Sequence, residues 1–243
     1  MLNILSHLKL KIRANKYKTK NDKGGISYIL NQVQSGDTVV DVGAHKGGYL
    51  YFMLQKVGIH GQVHAFEPQN NLYNLLIRLK ASLGWKNVFI SNVALSDCNS
   101  NVTLHIPVKP GKSDSPGASI LNLEHITSQT RTQDTMTETL DDYCKARNIE
   151  PSFIKIDVEG NELKVLKGSV LTINSFRPKI MVESEERHIG KESVEEVFAF
   201  FLNLGYKGFF IKDDQYVSID QFDFIRHQDI NIKPYCNNFI FEN

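Results

Sequence analysis

The sequence contains few cysteines, and their positions argue against the structures that cysteines usually build. Cys98, Cys144 and Cys236 are odd in number, lie far apart and form no C-x-x-C pair. The pattern therefore indicates neither a disulfide framework nor a zinc site. Free cysteines of this kind are typical of a reducing compartment, so we predict that the protein is cytoplasmic.

The chain also lacks an excess of charge of one sign and a long apolar run. It carries 28 Lys and Arg residues against 27 Asp and Glu residues, so no overall basic field is available to hold a nucleic acid backbone. No stretch approaches the roughly 20 apolar residues that a transmembrane helix needs. We therefore predict neither nucleic acid binding nor a transmembrane segment.

Basic side chains are concentrated near the N-terminus, where they follow a short series of apolar residues. The basic residues are Lys9, Lys11, Arg13, Lys16, Lys18 and Lys20, and the apolar residues are Leu2, Ile4, Leu5 and Leu8. Such a segment can make weak contact with an anionic membrane surface. The alternative, which we favour because the apolar face is short, is a frayed or packed amphipathic helix. We predict a helical extension over residues 1–36, followed by one domain over residues 37–243.

From Thr38 onward, short apolar runs alternate with helical patterns, which is typical of βαβ units in a mostly parallel sheet. Predicted strands cover residues 38–42, 63–67, 88–90, 153–157, 179–183, 208–211 and 238–241, and predicted helices include residues 140–147 and 194–204. The alternation is interrupted between Pro107 and about Asp134 by a segment rich in Ser, Thr, Gly and Pro. A loop of this length is either a lid or binding loop, or simple surface disorder. The fold class that we predict is α/β, with a doubly wound sheet.

A glycine-containing turn follows the first predicted strand and leads into a helix. The residues that we predict to contact a cofactor there are Asp41, Gly43, Ala44, His45 and Gly47. Glycines let a ligand approach the backbone, although such turns also occur for close packing. A dinucleotide enzyme would have G-x-G-x-x-G, whereas His45 stands in place of the middle glycine. Asp41 suits the ammonium of a methionine moiety better than a pyrophosphate, which a carboxylate would repel.

Two further acids follow the next strands. Glu67 ends the second predicted strand, where a carboxylate can accept hydrogen bonds from both hydroxyls of a ribose. The alternative for Glu67 is a solvated acid beside a Pro68 that starts a helix. Asp97 lies in the turn after the third strand and could accept from an adenine amino group, although a lone acid in a turn is more often structural.

The order of these motifs resembles that of the FkbM-type methyltransferases. The motifs are Asp41-Val42-Gly43-Ala44, Phe66-Glu67-Pro68, Asn92-Val93-Ala94-Leu95-Ser96-Asp97 and Ile154-Lys155-Ile156-Asp157-Val158-Glu159-Gly160 with its continuation Glu162 to Gly168. The resemblance runs from about Val39 to Glu183, with a weaker similarity at residues 238–241.

The resemblance implies S-adenosylmethionine as the methyl donor, O-methylation as the usual reaction, and a Rossmann-like class I methyltransferase sheet with an antiparallel strand near its C-terminal end. It also implies cofactor contacts at Asp41, Gly43, Glu67 and Asp97, while His45 stands where the family often has Asn. Family acceptors are diverse, with sugars and secondary metabolites prominent. The predicted partner is therefore a small-molecule acceptor, such as a sugar or glycan precursor.

The candidate catalytic residues follow the last two parallel strands. Asp157 and Glu159 are spaced by two, so in an extended chain their side chains point to the same side. Asp157 is our first candidate for the base that removes an acceptor proton, followed by Glu159 and His188. For Glu159 we slightly favour the alternative that it binds backbone N–H groups at the start of the next helix. Glu183, Glu185 and His188 have no fixed ligand spacing, so we predict no metal.

These observations favour an S-adenosylmethionine-dependent O-methyltransferase that acts on a sugar or another small polar metabolite. A nucleotide-dependent oxidoreductase is the second hypothesis, but it lacks the middle glycine and a residue for hydride transfer. A cofactor-binding module without catalysis is the third hypothesis, because the binding residues are clearer than the acceptor residues. Methylation of a nucleic acid amino group usually requires Asn or Asp followed by Pro-Pro and an aromatic residue, and the chain has Asp157-Val158-Glu159-Gly160 at that place.

Overall fold

The computed structural model describes residues 2–108, 117–121 and 129–243, with side chains from residue 7 onward. The strands in these residues are β1 (Thr38–Val42), β2 (Gln62–Phe66), β3 (Val88–Ser91), β4 (Ala94–Leu95), β5 (Ser100–Pro107), β6 (Thr130–Glu138), β7 (Phe153–Ile156), β8 (Lys179–Glu183), β9 (Lys207–Lys212), β10 (Gln215–Ser218) and β11 (Asn238–Glu242). The helices are α1 (Leu2–Lys16), α2 (Lys23–Gln32), α3 (Gly48–Val57), α4 (Asn70–Leu83), α5 (Leu140–Arg147), α6 (Glu162–Lys167), α7 (Val170–Phe176), α8 (Glu186–Ile189), α9 (Lys191–Asn203) and α10 (Phe224–His227). A π-helical turn, Tyr17–Asn21, joins α1 to α2, and a short 3-10 helix spans Ile219–Gln221.

Eight of these strands form one sheet in the order β10-β9-β11-β8-β7-β1-β2-β3. Strand β1 pairs in parallel with β2 on one side and with β7 on the other. The chain therefore winds outward from β1 in one direction and later returns to fill the other side. This arrangement creates a switch point beside β1, and ligands of open α/β sheets bind at the carboxyl ends of the strands there. The predicted doubly wound α/β fold is confirmed.

Strand β11 is the antiparallel strand that the family resemblance implied. It lies between β8 and β9 and runs antiparallel to both of them. Three of its side chains, Phe239, Ile240 and Phe241, are fully buried, which agrees with an apolar run covered on both faces. Edge strand β10, which pairs antiparallel with β9, was not predicted, because its exposed sequence has no apolar alternation.

A second, three-stranded sheet in the order β4-β6-β5 departs from the sequence-based prediction. Strands β5 and β6 pair antiparallel from Ser100 opposite Thr137 to Pro107 opposite Thr130. The predicted interruption up to Asp134 is therefore wrong at its end, where β6 has begun. Strand β6 is rich in threonine, a good strand former, but the start of the strand is largely exposed, so its pattern lacks apolar alternation.

Most of the predicted lid or binding loop, residues 109–116 and 122–128, lies outside the described residues. The piece between these ranges, residues 117–121, packs against the second sheet. Ser119 exchanges backbone hydrogen bonds with His105 at 2.8 and 3.0 Å, and its hydroxyl donates to the Glu159 carbonyl oxygen at 2.8 Å. This piece of the segment therefore contacts the loop that follows β7.

Helix α1 packs against α3 and α4, and α2 packs against α3 and β9, instead of fraying from the domain. Leu10 and Ala14 of α1 are fully buried, and Arg13 donates a hydrogen bond to the Lys46 carbonyl oxygen at 2.6 Å. Leu8 and Ile12 on the opposite side of α1 are exposed. The packed alternative for this segment is supported for α1 from residue 7 onward. In the part of the chain that the structure describes, no helix is both long and apolar enough to cross a membrane.

Candidate functional site

A cavity of about 260 Å³ opens at the carboxyl ends of β1, β2, β7 and β8. Its polar and charged lining comes from six parts of the chain. These lining residues are Tyr17, Asn21, Asp22, His45, Tyr49, Glu67, Gln69, Lys155, Asp157, Glu159, Asn161, Glu183, Asn237 and Asn238. The cavity lies where the fold predicts a ligand. Four titratable residues predicted from the sequence line it, namely His45, Glu67, Asp157 and Glu159.

The turn between β1 and α3 forms one wall of the cavity through Gly43, Ala44 and His45. The backbone N–H groups of Gly43 and Ala44 both donate to the Phe66 carbonyl oxygen at 3.0 Å. Gly43 has a φ of 82°, and a Cβ atom on it would lie 1.9 Å from the Asp157 carbonyl oxygen. Only glycine fits this close approach between the ends of β1 and β7. Gly47 does not line the cavity, because it starts α3 against Leu76.

Replacing Gly43 with Ala is expected to lower the free energy of unfolding by about 3 kcal/mol or more. The left-handed backbone conformation costs about 1 to 2 kcal/mol for an L-residue, and displacing the Asp157 carbonyl adds to it. Gly36→Ala is the matched control, because Gly36 also has a positive φ, 94°, but no atom lies within 4 Å of its Cβ position. Urea unfolding should show a clearly smaller loss for Gly36→Ala, and equal losses would contradict the close approach.

Asp41 lies behind the cavity and does not line it. Its side chain is fully buried, and Oδ1 lies 3.4 Å from Nζ of Lys155. Lys155 itself lines the cavity, with Nζ 3.2 Å from Asp157 Oδ2 and 3.4 Å from the Gly43 carbonyl oxygen. Burial alone would lower the pKa of Lys155, but the carboxylates of Asp157 and Asp41 raise it above its ordinary value. Lys155 therefore neutralises Asp41 and separates it from the cavity.

Glu67 lies in the cavity at the end of β2 and is held by the backbone. Oε2 accepts from the His45 N–H at 2.7 Å, and Oε1 accepts from the Gln69 N–H at 2.9 Å. Burial raises the pKa of Glu67 to about 7, although these two hydrogen bonds oppose the shift. Each carboxylate oxygen keeps a second lone pair, so Glu67 can still accept from a diol.

Glu67→Gln is expected to weaken the binding of S-adenosylhomocysteine by about tenfold or more, because a charged double acceptor contributes about 1.5 to 3 kcal/mol. The control is Asp97→Asn. Asp97 is exposed, accepts from its neighbour Ser96 at 3.2 Å and does not line the cavity. Calorimetry should give an unchanged affinity for Asp97→Asn. An unchanged affinity for Glu67→Gln would remove Glu67 from the ligand contacts.

Three carboxyl groups, Asp157, Glu159 and Glu183, lie together at the other end of the cavity. Burial, together with the charges of Asp157 and Glu185, raises the pKa of Glu159 to about 8. Burial and the nearby Asp157 charge also raise the pKa of Glu183 well above its ordinary value. A carboxyl group with a raised pKa is a stronger base in its ionised form than an ordinary carboxylate. It is therefore better able to accept the proton of a weak acid.

His188 lies beside Glu159. His188 Nδ1 lies 3.4 Å from Glu159 Oε2, and burial lowers the pKa of His188.

Glu159 has a φ of 55°, an uncommon conformation for a residue other than glycine. The other non-glycine residue with a positive φ beside the cavity is His45, whereas Asn148 and Arg177 cap helix ends. Strain of this kind is concentrated at functional sites.

The expectation that Glu159 caps the next helix is wrong. Glu162 instead binds the backbone N–H groups just before this helix, because its Oε1 accepts from Gly160 at 2.9 Å and from Val158 at 3.4 Å. Glu159 instead lines the cavity. Glu159 and Gly160 both have a positive φ, and after this left-handed turn the next acid along the chain, Glu162, faces the backbone N–H groups.

Several cavity residues were not identified from the sequence: Tyr17, Asn21, Asp22, Lys155, Asn237 and Asn238. Lys155 had a signal, because a charged side chain inside an otherwise apolar, fully buried strand requires a partner. Asp22 had only the signal of a helix cap before Gly24 and Gly25. Among the described residues, no group of three or more His, Cys, Asp or Glu side chains is placed to hold a metal ion.

Solved structures with a similar fold include a Methyltransferase FkbM from Methylobacillus flagellatus KT, with a TM-score of 0.54, 13% identity and 98% of this chain covered. This chain spans 58% of the length of that protein. A SAM dependent methyltransferase from Aquifex aeolicus gives a TM-score of 0.46 at 16% identity, with 96% of this chain and 95% of that chain covered. At 13% identity, the similarity to the first of these structures shows the fold alone. No curated protein matches the sequence.

The sequence itself matches a protein family, described as the Methyltransferase FkbM domain, over residues 41–207. The matched range begins at Asp41 and includes Glu67, Asp157 and Glu159 of the cavity. It covers more than half of the chain, and the glycine turn, the Glu67 carboxylate and the β7 acids lie around one cavity within it. The chain therefore belongs to the FkbM methyltransferase family, whose methyl donor is S-adenosylmethionine.

Proposed function

We propose that the protein transfers a methyl group to a hydroxyl oxygen of a small polar metabolite, such as a sugar or glycan precursor. The observation that carries this proposal is Glu159, a cavity-lining carboxyl whose pKa is raised to about 8 and whose Oε2 lies 3.4 Å from His188. A hydroxyl loses its proton far less readily than a thiol or an acid. A base with a raised pKa beside the acceptor is what O-methylation requires.

The charge of the cavity lining suits the methyl donor. Its lining carries five carboxyl groups, of Asp22, Glu67, Asp157, Glu159 and Glu183, against the ammonium of Lys155. S-adenosylmethionine carries a sulfonium and an ammonium against one carboxylate, so an acidic cavity attracts it. Gly43 leaves backbone room beside β1, and Glu67 presents a carboxylate of the kind that binds a ribose diol. These features support donor contacts at Gly43, Ala44, His45 and Glu67.

When bound, the donor supplies an electrophilic methyl group on sulfur. Glu159 takes the hydroxyl proton of the acceptor while the acceptor oxygen forms the new C–O bond, and the electron pair of the broken S–C bond stays on sulfur. Glu159 then releases the proton to solvent directly, since its own side chain is partly exposed. His188, neutral because burial lowers its pKa, accepts a hydrogen bond from the protonated carboxyl and holds it in place. The cavity walls hold the two reactants in line, which contributes more to the rate than the base itself.

Glu159 is preferred to Asp157 as the base because of Lys155. Asp157 Oδ2 lies 3.2 Å from the buried Lys155 ammonium, so this carboxylate oxygen is already paired with a cation. Glu159 has no such cation within hydrogen-bond distance among the described residues. Asp157 is instead placed to accept a hydrogen bond from the acceptor and to orient it.

The acceptor end of the cavity is polar, which supports a polyhydroxylated acceptor. Glu183 accepts a hydrogen bond from the Asn237 side chain at 2.7 Å, and Asn238 is a further lining amide. Carboxylates and amides in a buried site bind hydroxyl groups well. An apolar acceptor would leave these polar groups without hydrogen-bond partners. Membership of a methyltransferase family argues against the oxidoreductase hypothesis.

The test is methyl transfer from isotope-labelled S-adenosylmethionine to a panel of sugars, sugar nucleotides and matched acceptors in which an amine replaces the hydroxyl. We expect label in a stable methyl ether. Label on nitrogen would contradict O-methylation. Donor binding without transfer to any acceptor would support the hypothesis of a binding module without catalysis.

A further inference from the structure

Asp22 has an unusual environment for a residue in the helices that precede the family domain. Its Oδ1 accepts from the Gly25 N–H at 2.9 Å and caps helix α2. Its Oδ2 is shielded from solvent and accepts no hydrogen bond of good geometry from the described residues, although Asp22 lines the cavity and the Asn238 side-chain amide is close enough to lower its pKa. A buried, charged oxygen without a donor is costly unless a ligand supplies one.

A second unsatisfied oxygen lies next to it. Tyr49 Oη is also buried without a hydrogen-bond partner, and Tyr49 also lines the cavity. A Cβ atom on Gly25 would lie 2.4 Å from Asp22 Oδ2 and 2.6 Å from Tyr49 Oη. The two oxygens are therefore close enough for one nitrogen to donate to both, and the absence of a side chain on Gly25 leaves them room.

The other lining acids are already occupied. Glu67 accepts from two backbone N–H groups, Asp157 pairs with Lys155, and Glu183 accepts from Asn237. Glu159 lies beside His188. Asp22 is thus the lining acid with a buried oxygen that still lacks a donor. Burial raises the pKa of Asp22 to about 6, so its carboxyl is mostly ionised at neutral pH.

The position of Asp22 relative to Glu67 indicates which part of the donor Asp22 contacts. Tyr49 lies in the first turn of α3, directly after the turn whose His45 N–H donates to Glu67. Glu67 and the pair formed by Asp22 and Tyr49 therefore border the same turn from two sides. If Glu67 holds the ribose, the amino acid end of the donor extends along this turn toward Asp22.

We propose that Asp22 and Tyr49 bind the α-ammonium group of S-adenosylmethionine, a role that the sequence-based analysis gave to Asp41. The site rests on the proposed methyltransferase function and adds Asp22, a residue from outside the matched family range, 41–207. The helical segment before β1 is then part of the donor site, and the charge that recognises the ammonium comes from it rather than from β1.

The test compares two ligands by calorimetry: S-adenosylhomocysteine, and its analogue that lacks only the α-amino group. The wild-type protein should bind the amino-containing ligand about tenfold or more tightly than the analogue, as expected for a charge-assisted hydrogen bond. Asp22→Asn keeps the size and the helix-capping ability of the side chain but removes its charge. It should bind both ligands about equally, with the affinity for the analogue unchanged.

The matched control is Asp37→Asn, because Asp37 also accepts from a backbone N–H, that of Gln34 at 2.7 Å, but lies away from the cavity. It should keep the full preference for the amino group. A folding defect would lower the affinity of Asp22→Asn for both ligands, and Asp22→Ser, which also caps a helix, then provides the second measurement. A full amino-group preference in both Asp22 variants would overturn this site while leaving hydroxyl methylation intact. Failure of methyl transfer with a lost preference would contradict the proposed acceptor chemistry alone.

Discussion

Glu159→Gln is expected to lower the rate of methyl transfer by about 10²-fold or more, because a general base contributes about 10²- to 10⁴-fold. Gln keeps the length of the side chain but cannot accept a proton. The affinity for S-adenosylhomocysteine should change little, since Glu159 lies at the end of the cavity away from Glu67. Single-turnover transfer with saturating donor isolates this effect from binding.

The pH dependence gives an independent measurement for the same residue. The pKa of Glu159 is raised to about 8, so the fraction that is ionised, and with it the rate, should increase as the pH rises from about 7 to 9 and then level off. Glu159→Gln should abolish this increase. Glu186→Gln is a control, because Glu186 is a nearby acid that does not line the cavity. A steeper loss in Asp157→Asn than in Glu159→Gln would return the role of base to Asp157.

Lys155→Met is expected to lower the free energy of unfolding by about 3 to 5 kcal/mol, the usual cost of leaving a buried charge without its partner. Met has a similar length and no charge, so the packing changes little. Asp41 would then be a fully buried carboxyl that has lost the cation beside it. No hydrogen bond would compensate, because both of its oxygens already lack a donor among the described residues.

The double variant Lys155→Met with Asp41→Asn separates charge from packing. Removing the Asp41 charge should recover at least about 1 kcal/mol of the loss, although Asp41→Asn alone should itself destabilise the protein. Urea unfolding of the four proteins measures this coupling. Additive losses would show that the ion pair contributes nothing and that Lys155 acts only through its packing.

Much of the fold was predictable from the sequence because its parallel strands are apolar runs that the sheet buries. Strand β8 and helix α5 have the predicted bounds, and β1 begins and ends as predicted. Strands β5 and β6 were missed because β6 is mostly polar and exposed, so pairing with its neighbour, rather than apolar burial, fixes its conformation. Local patterns contain no information about such pairing.

The site was predictable where its residues follow a strand, and unpredictable where they come from a distance. Glu67, Asp157 and Glu159 lie in the cavity because the ends of parallel strands share one edge of the sheet. Asp97 also follows a strand but lies exposed, outside the cavity. Asp22 belongs to a helix packed over this edge, and only tertiary structure places it there. Asp41 lies behind Lys155, because both side chains are buried and contact each other as an ion pair.

The insertion of β11 between β8 and β9 has a consequence for how this protein is synthesised. Asn238 of β11 and Asp22 line the same cavity, and Tyr28 of α2 donates a hydrogen bond to Glu242 across 214 residues of sequence. A ribosome must therefore have extruded nearly all of these 243 residues before the cavity can close. Until β11 arrives, β8 and β9 expose unpaired apolar edges, which are templates for aggregation. A chain that ended before residue 238 would keep these edges unpaired, so we expect it to associate with other chains more readily than the 243-residue chain.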